Sequence, residues 1–288
     1  MSCKRRLDRA FKHAPVLPID NGTRYVIFSD CHRGNGTHND NFLKNQHLYL
    51  AALKQYYREG FTYIELGDGD ELWENRNIEQ IKEIHSDVFH LLALYYAQNR
   101  LFMLYGNHDM VKKNARFTRK KWNDFFCTAS QCRRNLFPDI RFYPALILRN
   151  ANTNKELYLT HGHQATLLNS TLWRVNCFLV RYVWKPLELT GILDPTSAAK
   201  NYTTKQRSER RLSAWAYERG RTLVTGHTHR PMAGGAGPYI NSGSCVHPYS
   251  ITCIELRGMN LRLVKWYMGT RENGDFYLEK EILGQKIL

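Results

Sequence analysis

The chain has 288 residues, 43% hydrophobic and 23% charged, which excludes a disordered polymer and suits one large or two small globular domains. A formal net charge of +15 favours anionic partners: phosphorylated substrates, nucleic acid or an anionic membrane surface. The seven cysteines are odd in number and form no CxxC pair, which argues against a disulfide scaffold and for a reducing, cytoplasmic compartment. Cys127 and Cys132 read as small buried hydrophobes rather than zinc ligands.

The N-terminal arm, MSCKRRLDRAFKHAPVLP, is basic and lacks the apolar run of a signal peptide. No run of uncharged apolar residues is long enough for a membrane-spanning helix. RYVIFSD (24–30) reads as a short strand ending in an acid. Residues 41–59 follow as a helix with Leu43, Leu50, Leu53 and Tyr57 among its apolar positions. TYIELGD (62–68) is a second strand, 77–98 a second helix, and RLFMLYGNHD (100–109) a third strand ending in a polar cluster. RFYPALILR (141–149), ELYLTHGH (156–163) and RTLVTGHTH (221–229) continue the strands. The remainder, from PYINSGSCV onward, reads as strands separated by Gly and Asn turns. Alternating strands and helices followed by strands predict two sheets packed face to face, with helices outside.

Five of these strands end in the same chemistry: SDCH (29–32), LGD (66–68), YGNHD (105–109), THGH (160–163) and TGHTH (225–229). Ligand groups at the carboxyl ends of sheet strands converge on one crevice. Asp30, His32, Asp68, Asn107, His161, His227 and His229 make seven candidate ligands, too many for one tetrahedral ion and suited to two ions sharing a carboxylate. Imidazole, carboxylate and amide oxygen together suit a borderline divalent ion: Mn²⁺ first, Fe²⁺ or Zn²⁺ as alternatives.

The ordered blocks DCH, GD, GNHD, HGH and GHTH resemble those of the calcineurin-like metallophosphoesterase family, over positions 30 to 229. The resemblance implies an α/β fold, a four-layer α/β/β/α sandwich, forming a single domain over 1–288 with a helical insert at 164–220. It implies that Asp30, His32 and His229 hold a first metal, that Asn107, His161 and His227 hold a second, and that Asp68 bridges them. His108 would contact the phosphate and protonate the leaving group, and Asp109 would orient His108. The implied nucleophile is metal-bound hydroxide, acting on a phosphomonoester, phosphodiester or pyrophosphate. Arg33 and His163 are further candidates for substrate contact.

GDGDELWE lacks the Arg-Gly of the protein phosphatases in this superfamily. Within the insert, Leu168, Leu172, Val175, Leu179 and Tyr182 recur at helical spacing, with Arg174 and Arg181 on another face. This reads either as a stripe packed on the domain, or as a lid that holds an apolar substrate part or makes a peripheral membrane contact. KQRSERR (205–211) reads as a solvated helix face. The insert followed by GHTHRP is similar to UDP-2,3-diacylglucosamine pyrophosphatases, which would imply a nucleotide-linked lipid substrate. The chain departs from them in having His108 where they carry Arg, and HGH where they carry HGD. A metal-dependent nuclease and a catalytically inactive binding scaffold complete the alternatives.

Overall fold

The computed structural model describes residues 1–37, 40–184, 201–233, 235 and 237–288. In chain order its elements begin with α1 (Cys3–Phe11), β1 (Val16–Ile19), β2 (Arg24–Phe28), α2 (Gln46–Arg58), β3 (Thr62–Glu65), α3 (Ile78–Ile84), α4 (Ser86–Ala97) and β4 (Leu101–Leu104). There follow α5 (Ala115–Lys121), β5 (Asp124–Cys127), β6 (Cys132–Asn135), β7 (Phe142–Tyr143), β8 (Ala145–Asn150), β9 (Glu156–Thr160), α6 (Leu167–Ser170) and α7 (Trp173–Leu179). The last are α8 (Tyr202–Arg219), β10 (Thr222–Thr225), β11 (Tyr239–Asn241), β12 (Ser250–Arg257), β13 (Asn260–Thr270) and β14 (Phe276–Ile287).

Two sheets carry the molecule. One has the order β1-β8-β9-β10-β11, the other β14-β13-β12-β2-β3-β4-β7. Strand alternation sends successive side chains to opposite faces. Ile27, Ile64, Leu104 and Ile254 of the seven-stranded sheet therefore meet Leu146, Leu148, Leu159 and Val224 of the five-stranded one in a core between the sheets. The opposite face of the larger sheet, with Val26, Phe28, Tyr63 and Met103, packs on α2 and α4. The opposite face of the smaller one, with Ile147, Tyr158 and Leu223, packs on α1 and α8 through Leu7, Phe11, Leu212 and Trp215. The result is the four-layer α/β/β/α sandwich, each fully buried large side chain contributing roughly 1.5–3 kcal/mol by leaving water.

Parallel pairing aligns the site. β2, β3 and β4 are adjacent parallel strands, as are β9 and β10. The loops that follow these five strands therefore leave each sheet in the same direction.

Several expectations shift. The C-terminal strands, unassigned to a sheet by their sequence, are shared between the two: β11 joins β10, whereas β12 pairs with β2. RFYPALILR is two strands in different sheets, because Pro144 interrupts the ladder between β7 and β8. The predicted helix 77–98 is parted at His85, which is buried and held by Gln46 and Asp40. The basic N-terminal arm is a helix, capped by Ser2, whose Leu7 and Phe11 fill the outer layer. Cys127 is buried, but Cys132 is exposed on a hairpin absent from the sequence reading. No described helix is long and apolar enough to cross a membrane.

Candidate metal centre

The loops after β2 and β3 zip together along their backbones. The N–H groups of Asp30, His32 and Arg33 donate to the carbonyls of Gly67, Asp68 and Gly69 at 3.1, 2.9 and 3.0 Å. Within the smaller sheet, Gly226 N–H donates to the His161 carbonyl at 3.0 Å, and across the sandwich His227 N–H donates to Asp30 Oδ2 at 2.9 Å. Two glycines permit this crowding: a Cβ on Gly106 would lie 2.1 Å from Asp68 Oδ1, and one on Gly226 would lie 2.2 Å from Asp30 Oδ2.

The candidate ligands themselves carry the strain. Asp30, His32, Asp68, His227 and His229 have φ of 52, 49, 50, 67 and 56°. Non-glycine residues avoid this left-handed region at a cost of about 1–2 kcal/mol each. Five such residues converging on one point mark a functional site, since surrounding structure must hold them there.

All seven candidate ligands come together. Asp30, His32 and His229 form one group and Asp68, His161 and His227 another, with ligand atoms within 4.8 Å of one another in each. In the first group, His229 Nε2 lies 3.1 Å from Asp30 Oδ1 and 3.3 Å from His32 Nε2. In the second, His161 Nε2 lies 3.0 Å from Asp68 Oδ2 and 3.2 Å from Asn107 Oδ1. Asp68 Oδ2 is also 3.9 Å from His32 Nε2, so one carboxylate faces both groups. Asp30 and His161 are fully buried, yet Asp30 Oδ1 has no hydrogen-bond partner. A buried acceptor among converging imidazole nitrogens fits a divalent cation in donor type and in charge.

Electrostatics follow from burial and proximity. Burial alone would raise the Asp68 carboxyl, but the charges of His161 and His108 outweigh it and hold the group well below the usual range. Burial, reinforced by the like charge of His161, pushes His227 down to about 3, leaving a neutral imidazole, the form that binds metals. The centre opens to solvent at His108 and His229, whose side chains are 22% and 17% exposed.

His108 is positioned, but not by Asp109. Its Nδ1 lies 2.8 Å from Glu71 Oε1, and the other oxygen of Glu71 lies 2.8 Å from His32 Nδ1. Glu71 thus clamps a candidate ligand and the candidate acid at once. Burial opposes protonation of His108, but the charges of Glu71 and Asp68 prevail and raise its pKa. Trp73 stacks on the His108 ring at 4.3 Å. Asp109 instead accepts from Gly106 N–H at 2.7 Å, Gly69 N–H at 3.1 Å and Lys112 Nζ at 2.7 Å, so it organises the loop backbones. Sequence reasoning missed Glu71, although it stands in the GDGDE block three residues after Asp68.

Arg33 does not reach substrate. It is fully buried, forked onto Glu65 at 2.9 and 3.2 Å, with its Nε on Asp70 at 2.7 Å. His163 is buried beside His161, with ring centroids 5.5 Å apart, and belongs to neither group. Burial and the like charges of His161 and His227 keep it neutral. KQRSERR is not simply solvated: Glu209 is buried and accepts from Thr228 Oγ1 at 2.9 Å and Arg230 Nε at 3.1 Å, bracing the GHTHRP turn.

The segment after β9 lies against the centre. α6 and α7 occupy 167–179 and a wider turn follows at 180–184, while residues 185–200 of the expected 164–220 insert lie outside the described residues. Arg181 donates to the carbonyls of Trp73 and Leu72 at 2.5 and 2.9 Å. Of the apolar stripe, Leu168, Leu172, Val175 and Tyr182 are exposed and Leu179 is half-buried, and Phe178 is exposed beside them.

A comparison with curated proteins found no match. Among solved structures, a Streptococcus pneumoniae protein described as a predicted phosphoesterase has 12% identity and a TM-score of 0.35, covering 90% of this chain and 97% of its own. Vacuolar protein sorting 29 from Cryptosporidium parvum has 13% identity and a TM-score of 0.37, covering 91% and 98%. The same protein from Chaetomium thermophilum has 11% identity and a TM-score of 0.42, covering 93% and 98%. The sequence profile of the calcineurin-like phosphoesterases matches residues 23–231, which takes in all five motif blocks, and the chain belongs to that family.

Proposed function

We propose that the chain is a dinuclear-metal phosphoesterase that hydrolyses a phosphomonoester, phosphodiester or pyrophosphate bond. The observation that carries this is Asp68, whose carboxylate faces His32 at 3.9 Å and His161 at 3.0 Å and so joins the two ligand groups. In this reading Asp30, His32 and His229 hold one ion, Asn107, His161 and His227 the other, and Asp68 both. Two divalent ions, Mn²⁺ by preference, neutralise phosphate charge and acidify water when bound. His108, with Nδ1 committed to Glu71, keeps Nε2 for the leaving-group oxygen and donates a proton there. The centre belongs to one domain over 1–288, with 164–220 an insert within its sequence.

The test is metal content together with hydrolysis of bis-p-nitrophenyl phosphate and a nucleotide-diphosphate-sugar, with and without Mn²⁺. About two ions per chain and Mn²⁺-dependent turnover support the reading, by the two-metal precedent. No metal and no turnover with several divalent ions leave a binding scaffold.

A second, finer reading is a nucleotide-linked lipid substrate, with a peripheral membrane contact. The exposed apolar residues of α6, α7 and the turn after them favour it, because the segment that carries them lies against the centre and their solvent-facing side would lie against an acyl chain or a bilayer surface. Preferential turnover of a diacylated pyrophosphate over its water-soluble headgroup would bear this out.

A further inference from the structure

The helix pair α6–α7 is amphipathic in an unusual sense: its apolar side faces solvent and its amides face inward. Asn169 and Asn176 are seven residues apart and are 4% and 1% exposed. Asn176 Nδ2 donates to Asn169 Oδ1 at 2.7 Å. Asn169 Nδ2 in turn lies 3.3 Å from Nε2 of His227, a member of the second ligand group. Burying two carboxamides here is unfavourable unless they are bonded, and Asn176 Oδ1 is left without a partner. The start of the segment is pinned by Arg6 and Arg211, which donate to the carbonyls of Gln164 and Ala165 at 2.8 and 3.0 Å. Its far end is pinned by Arg181 on the loop that carries Glu71. The position of Asn169 over the second group is therefore set from both sides.

We propose that Asn169 is a substrate-binding residue supplied by the insert, donating an N–H to a non-bridging phosphoryl oxygen held at the second ligand group. A primary amide carries two N–H donors and one acceptor oxygen. Because Asn176 donates to that oxygen, the NH₂ of Asn169 must face the centre, where an anionic oxygen is the matching acceptor. Asn176 is a positioning residue that sets this direction. Neither position was singled out by motif, since both lie in a segment whose apolar stripe drew attention to the opposite face.

The proposal rests on the dinuclear reading, and its test separates the two. Inorganic phosphate is titrated calorimetrically into the Mn²⁺-loaded full chain, with metal content measured in parallel. Asn169→Ala is expected to retain wild-type metal content and to bind phosphate about tenfold to a hundredfold more weakly, the effect of losing one hydrogen bond to a charged group. Asn176→Asp is nearly isosteric but can only accept, so it turns the Asn169 oxygen toward the centre and is expected to weaken phosphate binding comparably. Phosphate affinity unchanged in Asn169→Ala overturns the proposal while leaving the dinuclear reading intact. So does loss of metal from Asn169→Ala, which would make Asn169 a ligand to the ion. Wild-type chain that takes up no metal overturns both.

Discussion

Glu71 shows how one side chain can organise a site without being part of its obvious motif. With each oxygen 2.8 Å from a different imidazole, it orients His108 and His32 together. Glu71→Gln keeps the shape but loses the charge that favours protonated His108. It is expected to lower kcat by about 10²-fold or more, the usual range for impaired general acid catalysis, while metal content stays near wild type. Unchanged kcat would remove the His108 role. Asp68→Asn or His229→Ala is expected to abolish turnover and deplete metal, read by elemental analysis, because each breaks a ligand group. Asp70 illustrates buried charge away from the chemistry. Its carboxylate is buried, which alone would raise its pKa, but Arg33 and Lys112 dominate and depress it. The unfolded-state value is about 3.9, so the stabilisation is complete above that pH and drains as pH falls toward the lower folded value. Asp70→Asn should therefore be less stable at neutral pH and show a shallower acid loss in denaturant titrations. An identical acid slope would contradict this.

Among the elements, the strand-to-loop junctions and the helices beside them divide the labour. β2, β3, β4, β9 and β10 aim the ligand loops, and the strain at Asp30, His32, Asp68, His227 and His229 is held by the sandwich behind them. α6 and α7 bring an amide face to the centre and leave Leu172, Val175 and Phe178 to solvent. Val175→Glu with Phe178→Glu is expected to leave bis-p-nitrophenyl phosphate hydrolysis within about twofold, as surface changes remote from the reacting atoms usually do. The same pair should abolish sedimentation with anionic vesicles and reduce turnover of a lipid-linked substrate. Wild-type protein that never sediments with such vesicles would remove the membrane contact.

At the scale of the whole molecule, two sheets and their flanking helices form a frame that brings the two ligand groups together, ready to take up cations. Binding to the folded chain alone stabilises it by mass action, about 2.7 kcal/mol per site at a hundredfold excess over Kd. Adding Mn²⁺ should raise the melting temperature and a chelator should return it. A melting temperature indifferent to both would deny the ions a structural site in the native fold. The net charge of +15 acts at the same scale, favouring anionic partners through an attraction that weakens as salt rises.

Local chemistry was legible from residue order alone. Asp, Asn and His after apolar strands, repeated in five blocks, singled out seven residues that the fold brings close together, and the strand order predicted two packed sheets, because strand periodicity and ligand type are local properties. Partnership was not local. That Glu71 rather than Asp109 holds His108, that Arg33 is sealed in a buried ion network, and that Pro144 passes the chain between sheets depend on groups distant in sequence. The same holds for the insert: spacing announced an amphipathic helix, but only packing against His227 and the Glu71 loop decided which face turns inward. The buried amides point to the centre and the apolar stripe to solvent, the reverse of what hydrophobicity alone selects, because the centre it covers is itself polar.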